Sequence, residues 1–483
     1  MDRSFSRRRT KIVATLGPAT DDPKVLRAMV EGGLDVARVN FSHGSRDDQR
    51  RRIQMLQEAS RECDRPVGIL GDLSGPKIRI ESFSEGRVFL RDGDSFALDT
   101  TLGLAAGTKE AVGVAYLDLP KDVKSGDVLL LSDGQIVLDV EQVSATRIDT
   151  RVRVGGELSN RKGLNRQGGG ISAPALTDKD REDIAFAAEI GIDYVAVSFA
   201  RSADDIRQAR RLVSEAGGEA RIVAKIERQE AIANLAAIIE ATDVVMVARG
   251  DLGVEMGYAE LTGLQKTIIH ESRQRNRVVI TATQMMESMI QSPVPTRAEV
   301  SDVANAVMDG TDAVMLSAET AAGKYPERAV RAMAEVIEGA EKYEITHSRT
   351  RNRVDGEFGS TEEAIAVSVM YTSEYMNVRA IVALTESGST PMYMSRRRSD
   401  IPIYAFTRHE ATRRRTTLYR GVYPVIFDVV ASERADRLHR ALFQRLLDLK
   451  LVQVGDLVIL TKGELTGVQG GTNSMQIVRV DVG

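Results

Sequence analysis

The sequence predicts an α/β fold: a (β/α)8 TIM barrel with an inserted small β-barrel lid domain and a C-terminal α/β domain. Eight nearly continuous apolar runs alternate with amphipathic helical stretches, which indicates parallel strands buried on both faces. The alternation stops between residues 76 and 170, and a further α/β pattern occupies residues 355–483. An open doubly wound sheet is the alternative that the pattern alone leaves open.

The barrel prediction places the eight β/α units at residues 1–75 and 171–345. The predicted strands are Lys11–Leu16, Val36–Asn40, Val67–Asp72, Tyr194–Ser198, Arg221–Lys225, Val244–Ala248, Val278–Ala282 and Ala313–Ser317. Helical patterns follow, such as Val25–Glu31 and a charged helix over Asp47–Cys63. Eight such units in series fit a closed barrel once the interruption is removed.

The interruption, residues 76–170, predicts an all-β lid. Asp-Gly pairs at 92–93 and 133–134 separate short runs such as Val128–Leu131 and Gln135–Val140, a pattern typical of β-hairpins. The return segment Asn160–Gly170 is rich in Gly, Asn and Lys, as expected for a hinge. An insertion after the third strand lies over the C-terminal face of a barrel, where active sites occur.

The C-terminal α/β domain follows a polar stretch at Glu341–Phe358. Its apolar helix begins at Thr361. Its predicted strands are Ala380–Leu384, Ile401–Phe406, Val422–Phe427, Asp456–Thr461 and Met475–Val480.

Composition bounds the partners and the compartment. The 483 residues contain 65 Lys and Arg against 69 Asp and Glu, so no global basic field attracts nucleic acid or anionic lipid. One cysteine, Cys63, cannot form an internal disulfide and fits a reducing cytosol. No run reaches the roughly 18 apolar residues of a membrane span, and Met1–Thr10 lacks the apolar segment of a signal peptide. We expect a cytoplasmic protein with no nucleic-acid or membrane partner.

Polar residues and glycines end or follow five of the predicted barrel strands, at the positions where barrel active sites lie. They are Arg38, Asn40, Ser42 and His43 for strand two, Lys225 and Glu227 for strand five, Gly250 and Asp251 for strand six, Thr283 for strand seven and Ser317 for strand eight. Each motif alone has a plainer interpretation, as a strand-end ion pair, a turn or a loop histidine. Their common position at strand ends favours a site.

The residue types in this set suit phosphoryl transfer. Lys225 and Glu227 are two apart on a strand, so their side chains face the same way. Glu227 and Asp251 could hold Mg²⁺, which proteins bind through one or two carboxylates, with waters and substrate oxygens completing the shell. Arg38 suits bidentate binding of phosphate. A divalent cation with two basic side chains supplies the positioning and charge neutralisation that phosphoryl transfer requires.

Long ordered segments resemble the pyruvate kinase family over essentially the whole chain. They are TKIVATLGPAT (10–20), VARVNFSHG (36–44), GDLSGPKIR (71–79), VAKIE (223–227), VMVARGDLGVE (245–255), TATQMMESM (281–289) and PTRAEVSDVANAVMDGTDAVMLSAET (295–320). The resemblance implies conversion of phosphoenolpyruvate and ADP to pyruvate and ATP with Mg²⁺, for which Mn²⁺ can substitute. It also suggests a homotetramer.

The resemblance implies a role for each matching residue. Arg38 would contact the transferring phosphoryl group, with Ser198 assisting. Lys225 would bridge that group and the enolate oxygen. Glu227 and Asp251 would bind Mg²⁺, and the Gly250 and Asp251 amides with Thr283 would bind the substrate carboxylate. Thr283 and Ser317 would lie near the water that protonates enolpyruvate. The nucleotide and ion contacts would be made by Asn40, Ser42, His43, Arg79 and Lys162.

The monovalent-cation site departs from the commonest pattern of the family. Many members bind K⁺ through the equivalents of Asn40, Ser42 and Asp72 and a Thr just after that Asp; here Leu73 supplies no side-chain oxygen. Lys77 stands where those members carry Glu, and its ammonium can take the place of the ion. We therefore expect a Mg²⁺-dependent enzyme for which K⁺ is dispensable.

A second binding site is expected in the C-terminal domain. Hydroxyls and amides at a predicted helix start resemble the family's site for a phosphorylated effector. The residues are Thr385, Ser387, Gly388, Ser389 and Thr390. Ser389 stands where members often carry Arg, and Gly463–Asn473 contains no Arg or Lys. These departures favour a sugar monophosphate or a nucleotide monophosphate as allosteric effector.

Two other functions stay open on the sequence. One is a different Mg²⁺-dependent barrel enzyme acting on phosphoenolpyruvate or pyruvate, a lyase or a phosphomutase; the lid with Lys162 argues against it. The other is a catalytically silent metabolite sensor, against which the intact Lys225, Glu227, Asp251 and Thr283 argue.

Overall fold

A computed structural model describes residues 8–347, 357–428, 435–463 and 470–481. Its strands are β1 (Lys11–Thr15), β2 (Val36–Asn40), β3 (Gly68–Asp72), β4 (Arg87–Leu90), β5 (Ser95–Asp99), β6 (Ala111–Gly113), β7 (Val128–Leu131), β8 (Ile136–Val143), β9 (Arg147–Val154), β10 (Gly156–Ser159), β11 (Leu164–Arg166), β12 (Tyr194–Val197), β13 (Arg221–Ile226), β14 (Val244–Ala248), β15 (Val278–Ala282), β16 (Ala313–Leu316), β17 (Val378–Leu384), β18 (Ile403–Thr407), β19 (Val422–Ile426), β20 (Leu457–Gly463) and β21 (Thr472–Arg479).

The helices follow the strands in alternation through most of the chain. They are α1 (Pro23–Gly32), α2 (Arg46–Glu62), α3 (Leu119–Asp122), α4 (Asp178–Glu189), α5 (Ala203–Glu215), α6 (Gln229–Ala233), α7 (Leu235–Ala241), α8 (Arg249–Met256), α9 (Tyr258–Gln274), α10 (Arg297–Asp309), α11 (Ala318–Ala321), α12 (Pro326–His347), α13 (Thr361–Tyr375), α14 (Ser389–Ser395), α15 (Glu410–Arg415) and α16 (Ala435–Asp448). Within the described residues, no helix combines the length and apolar character needed to span a membrane.

Eight strands close into a barrel in the order β1-β16-β15-β14-β13-β12-β3-β2. Every residue of β1, β3, β14 and β15 is buried, as expected for strands covered on both faces. The predicted fold class is confirmed, and the open-sheet alternative is wrong because β1 pairs with both β2 and β16. The fourth and eighth barrel strands end one residue earlier than predicted, so Ser198 and Ser317 lie just beyond their strands.

The lid contains two sheets. One has six strands in the order β11-β7-β8-β9-β5-β6, and the other pairs β10 with β4. The Asp133-Gly134 pair forms the predicted hairpin turn, since β7 and β8 pair antiparallel around it. The hairpin expected at Asp92-Gly93 is wrong. The flanking strands pair elsewhere, β4 with β10 and β5 with β9 and β6, because an Asp-Gly turn reverses the chain without choosing the partner strand.

The C-terminal sheet has the order β19-β18-β17-β20-β21, parallel except for the last pair. Its core includes Phe406, Leu442, Leu446 and Val458, each almost fully buried. Helix α13 begins after Ser360, whose Oγ accepts the Glu363 N–H at 3.1 Å. Within the predicted polar boundary 341–358, α12 continues to His347, and residues 348–356 lie outside the described ranges.

Close contacts divide the chain into two compact units. One comprises the residues up to Gly71, Ile190–Tyr194 and those from Ile269 onward; the other comprises Asp72–Glu189 and Val195–Ile268. The domain boundaries at 1–75 with 171–345, 76–170 and 355–483 stay a prediction.

Within the first unit, a buried ion pair joins Asp312, which precedes barrel strand β16, to Arg396, which follows α14. The Arg396 guanidinium contacts both carboxylate oxygens of Asp312, with Nη1 at 2.7 Å from Oδ2. Both side chains are 2% exposed. Arg396 Nη1 also donates to the Arg277 carbonyl at 2.6 Å, and Asp312 Oδ2 accepts the Val279 N–H at 2.8 Å. Removal of either partner would leave the other charge buried without compensation, which is strongly destabilising.

We predict that Arg396→Met lowers the free energy of unfolding by about 3–5 kcal/mol, because the Asp312 carboxylate stays buried without its ion partner. Urea unfolding at fixed protein concentration, followed by circular dichroism, measures the change. Arg379→Met on the exposed face of β17 is the matched control. A loss of unfolding free energy no greater than that of Arg379→Met would contradict this prediction.

Candidate active site

Lys225 lies near the end of β13 in the second unit, and its ammonium is surrounded by acceptors. Lys225 Nζ is 2.9 Å from Glu227 Oε1 and 3.4 Å from Asp72 Oδ1, and it donates to Ser198 Oγ at 2.7 Å. The two carboxylates are 1–2% exposed and the lysine side chain is 13% exposed. The structure therefore fixes one positive charge against two buried negative charges at the end of the strand.

Glu227 is held by a main-chain donor as well as by Lys225. The Phe199 N–H donates to Glu227 Oε2 at 2.7 Å. Burial raises the pKa of the Glu227 carboxyl, the Lys225 ammonium lowers it, and the nearby Asp251 carboxylate raises it further. A neighbouring carboxylate that raises the pKa of buried Glu227 favours a cation near the two groups.

Asp251 lies in the first turn of α8, which begins directly after β14. The Gly250 and Asp251 amides belong to this turn, where helix N–H groups point outward and favour anions. Lys77 Nζ is 3.4 Å from Asp251 Oδ1. A small pocket of the second unit is lined by Lys77, Asn165, Phe199, Arg228, Asp251 and Glu255, among others.

The donor set fits a magnesium ion better than a metal that needs an all-protein cage. Among the residues that the structure describes, no group of three or more His, Cys, Asp or Glu side chains is arranged to hold a metal. Glu227 and Asp251 supply two carboxylates, and Mg²⁺ commonly takes one or two carboxylates and completes its shell with water and substrate oxygens.

The two lid residues predicted to contact nucleotide lie beside each other at the base of the lid. Arg79 forms an antiparallel bridge with Gly163, the residue after Lys162. Arg79 Nη1 donates to the Arg161 carbonyl at 2.9 Å, and the Ile80 N–H donates to the Lys162 carbonyl at 3.0 Å. The structure thus brings the main chains of these two sequence-distant residues close together.

In the first unit, the residues after β2 form a tight turn. Asn40 Oδ1 accepts the Ser42 N–H at 3.0 Å, and the His43 N–H donates to the Asn40 carbonyl at 3.2 Å. Arg38 Nη1 donates to Thr15 Oγ1 at 3.0 Å, which orients its guanidinium. Polar groups at the end of β2 are therefore fixed by short-range hydrogen bonds.

Strained backbone follows β15, also in the first unit. Thr283 and Gln284 adopt φ values of +68° and +54°, a region that β-branched residues rarely enter. The Thr283 hydroxyl donates to the Ala282 carbonyl at 2.6 Å. The buried Glu319 carboxylate accepts the Ser317 N–H at 2.7 Å and the Met286 N–H at 3.1 Å, which ties the segments after β15 and β16 together. Such strain clusters at functional sites.

The residues predicted to bind an effector contact a carboxylate of the chain itself. Ser387 Oγ and Ser389 Oγ are 3.0 Å apart, and the Gly388 N–H donates to Thr385 Oγ1 at 2.9 Å. Glu362 Oε1 accepts hydrogen bonds from Ser389 Oγ, at 2.7 Å, and from Thr390 Oγ1. Glu362 is 6% exposed, so a buried negative charge lies on these hydroxyls. Of the predicted segment Gly463–Asn473, residues 464–469 lie outside the described ranges.

The structure groups the predicted residues by unit. Lys225, Glu227, Ser198 and Asp72 meet directly in the second unit, whereas Arg38, Thr283 and Ser317 belong to the first.

Sequence reasoning missed three contributors: Asp72 as a partner of Lys225, the Phe199 amide on Glu227, and Glu319 between two loops. Asp72 ends β3 and Glu319 lies shortly after β16, so their positions carried the same signal as those of the identified residues. A main-chain donor such as the Phe199 amide has no side-chain signature.

Known proteins resemble this chain along its whole length. The family model "Pyruvate kinase, barrel domain" matches residues 7–330, and "Pyruvate kinase, alpha/beta domain" matches residues 363–478. Pyruvate kinase II of Salmonella typhimurium is 54% identical over 483 residues, 98% of this chain and 99% of the relative. A pyruvate kinase of Haemophilus influenzae is 52% identical over 94% of this chain and 96% of its own. The crystal structure of a Cryptosporidium parvum pyruvate kinase gives a TM-score of 0.90 at 32% identity, covering 100% of this chain and 98% of that one.

Proposed function

This chain belongs to the pyruvate kinase family, and from that premise we propose that it transfers the phosphoryl group of phosphoenolpyruvate to ADP in a Mg²⁺-dependent, K⁺-independent reaction. The products are pyruvate and ATP. One observation carries the proposal: the Lys225 ammonium lies between the Glu227 and Asp72 carboxylates and contacts Ser198. Family membership favours this reaction over the lyase, phosphomutase and silent-sensor alternatives.

The proposed role of Lys225 follows from the charge that develops during transfer. The phosphoryl group passes through a loose transition state with negative charge on its equatorial oxygens and on the leaving enolate oxygen. A cation already oriented by protein contacts stabilises that charge without reorganising. In this proposal Lys225 bridges the phosphoryl group and the enolate oxygen, and Ser198 orients the ammonium. Arg38, held by Thr15, contacts the phosphoryl group as well.

Members of this family use a divalent metal ion, and we assign it here to Glu227 and Asp251. Mg²⁺ suits this pair, and Mn²⁺ is the natural substitute. When bound, the ion neutralises charge and orients substrate oxygens. The lysines that contact these carboxylates, Lys225 and Lys77, then become available to the phosphoryl group and the nucleotide.

The substrate carboxylate is assigned to the first turn of α8. The Gly250 and Asp251 amides supply donors for a carboxylate, and Thr283 adds a hydroxyl. Phosphoryl transfer leaves the enolate of pyruvate, which takes a proton at its methylene carbon. We assign delivery of that proton to a water molecule near Thr283 and Ser317. Protonation of the carbon gives keto pyruvate directly, and the proton that it consumes comes from solvent.

The nucleotide is assigned to residues at the base of the lid and after β2. These residues are Arg79, Lys162, Asn40, Ser42 and His43. Closure of the lid over bound ADP excludes bulk water, so that ADP rather than water accepts the phosphoryl group. The bridge between Arg79 and Gly163 supports this assignment, because it brings the main chain at Arg79 beside the residue that follows Lys162.

We predict that Lys225→Met lowers kcat roughly 10²–10³-fold, the usual effect of removing one preorganised transition-state contact. A coupled assay of pyruvate formation from phosphoenolpyruvate and ADP with Mg²⁺ measures it. Lys121→Met, a change at a 79% exposed lysine of the lid, is the matched control. An inactive wild type, or full activity in Lys225→Met, would contradict the proposal.

Independence from K⁺ is supported by Leu73 and Lys77. Leu73 is 1% exposed and presents no side-chain oxygen to an ion. The Lys77 ammonium already places a positive charge 3.4 Å from Asp251. A K⁺ ion bound close to that ammonium would meet like-charge repulsion, and the ammonium can itself orient the substrates.

We expect equal turnover with and without about 100 mM KCl when a bulky amine is the sole other monovalent cation, with ionic strength matched because salt screens surface charge. Lys77→Glu should create dependence on K⁺, since it removes the fixed cation. Lys121→Glu makes the same charge change away from this site. Many-fold stimulation of the wild type by K⁺, but not by the amine salt, would overturn K⁺ independence.

We also propose an allosteric site for a sugar monophosphate or nucleotide monophosphate at Thr385–Thr390. The hydroxyls of Ser387, Ser389 and Thr390 suit a single phosphate group. That phosphate must displace Glu362 from Ser389 and Thr390, so the carboxylate opposes binding. The site therefore favours one phosphate group over two.

We predict that Glu362→Gln lowers the effector concentration for half-maximal activation about tenfold, since one like charge is removed from a buried site. Substrate-saturation curves with a panel of hexose, pentose and nucleoside monophosphates give the measurement. Glu363→Gln at the neighbouring position is the control. Curves unchanged by the whole panel in both wild type and Glu362→Gln would rule out the site.

Two further proposals concern compartment and assembly. We place the protein in the cytoplasm because its single cysteine, Cys63, fits a reducing compartment. From the family resemblance, we propose that it assembles as a homotetramer.

A further inference from the structure

We propose that Arg228 and Glu230 are positioning residues that couple the return hinge of the lid, Gly168–Ile171, to Glu227. The inference deepens the proposed function and rests on it, because Glu227 is there the metal-binding carboxylate. Both residues belong to the second unit and lie one and three positions after Glu227. The proposed reaction does not use their side chains.

The Phe199 amide holds Glu227. Phe199 adopts φ +55°, a genuine outlier for a bulky residue. A residue keeps such a conformation only where its surroundings enforce it. The direction of the Phe199 N–H, and with it the position of Glu227 Oε2, therefore depends on what packs against Phe199.

Two neighbours pack against Phe199, and one of them is Arg228. The Arg228 guanidinium lies over the Phe199 ring, with Cζ 5.0 Å from the ring centroid. Arg228 is 4% exposed, so this contact is shielded from water. On the outgoing side of the lid, a Cβ on Gly75 would lie 2.9 Å from Phe199 Cδ2, which shows how closely that backbone approaches.

Arg228 also contacts the return hinge. Arg228 Nη1 donates to the Ile171 carbonyl at 3.1 Å. Arg228 Nε has no hydrogen-bond acceptor among the described residues. The guanidinium is therefore positioned by the Ile171 carbonyl and the Phe199 ring. A shift of Ile171 therefore moves the guanidinium relative to the Phe199 ring.

Glu230 binds the same hinge one residue earlier. Its Oε1 accepts the Gly170 N–H at 2.5 Å. Gly168, Gly169 and Gly170 have φ values of +82°, +73° and +89°, a left-handed turn that only glycine forms without strain. The turn is conformationally permissive, and Arg228 and Glu230 fix its end. Movement of the lid at this turn is thereby transmitted to Phe199 and Glu227.

The test combines hydrogen exchange with metal binding. Amide exchange of peptides containing Phe199 and Gly168–Ile171 is followed by mass spectrometry, and Mn²⁺ alone is titrated with free Mn²⁺ detected by electron paramagnetic resonance. We expect Arg228→Met to speed exchange at Phe199 and to weaken Mn²⁺ binding, each about tenfold, because a hydrogen bond to a charged group is loosened. Arg228→Lys retains a donor and should recover most of both effects.

Glu230 supplies a second, partly exposed position that tests the coupling without threatening the fold. Glu230→Ala should change exchange at the hinge and at Phe199 and weaken Mn²⁺ binding, whereas Glu230→Gln keeps an acceptor for Gly170 and should resemble the wild type. Arg207→Met, on the exposed face of α5, is the control. Circular dichroism verifies folding of each variant.

The coupling is overturned if folded Arg228→Met and Glu230→Ala leave exchange at Phe199 and Mn²⁺ affinity at wild-type values. It is also overturned if Glu230→Ala loosens the hinge peptide alone. Failure of the proposed function shows differently, as a wild type that does not convert phosphoenolpyruvate and ADP. The exchange experiment still decides on the coupling in that case.

Discussion

A positive charge fixed at the end of β13 is the constraint on which the described site depends. Burying an ionised amine is costly unless it is paired and hydrogen-bonded. Lys225 meets that requirement through Glu227, Asp72 and Ser198, which come from three different strand ends. Each partner is in turn held: Glu227 by the Phe199 amide, and Ser198 through its own bond to the Leu73 carbonyl at 2.8 Å. The charge is therefore preorganised before any ligand binds.

The same principle of paired burial recurs in the first unit. Arg396 and Asp312 neutralise each other at 2% exposure, and the Glu341 carboxylate accepts the main-chain N–H groups of Arg9 and Thr10. Arg420 lowers the pKa of Glu341 although burial raises it. These contacts connect Arg9 and Thr10, just before β1, with α12, and Asp312, just before β16, with the residue that follows α14. These contacts join structural segments, whereas we propose that the charges around Lys225 interact with substrates.

The barrel strands were predictable because burial on both faces leaves an unbroken apolar run in the sequence. A polar residue at the end of such a run stands out, so Lys225 and Glu227, which the structure places in contact, could be identified as candidates from the sequence. Other features were not predictable. Asp92-Gly93 marks a turn but not the partner of β4, and Glu362 reaches Ser389 across 27 positions of sequence. The amide of Phe199 acts on Glu227 through backbone conformation, which no residue type encodes.

We propose that Glu227 and Asp251 hold the divalent ion while Lys225 faces the transferring phosphoryl group. A crystal structure with Mn²⁺ and oxalate, a stable mimic of enolpyruvate, is the decisive test, because the anomalous signal locates the metal. We expect Mn²⁺ coordinated by both carboxylates and by oxalate, with Lys225 Nζ turned from Glu227 toward the oxalate. Mn²⁺ bound away from these carboxylates, or Lys225 still paired with Glu227 beside a bound metal, would contradict it.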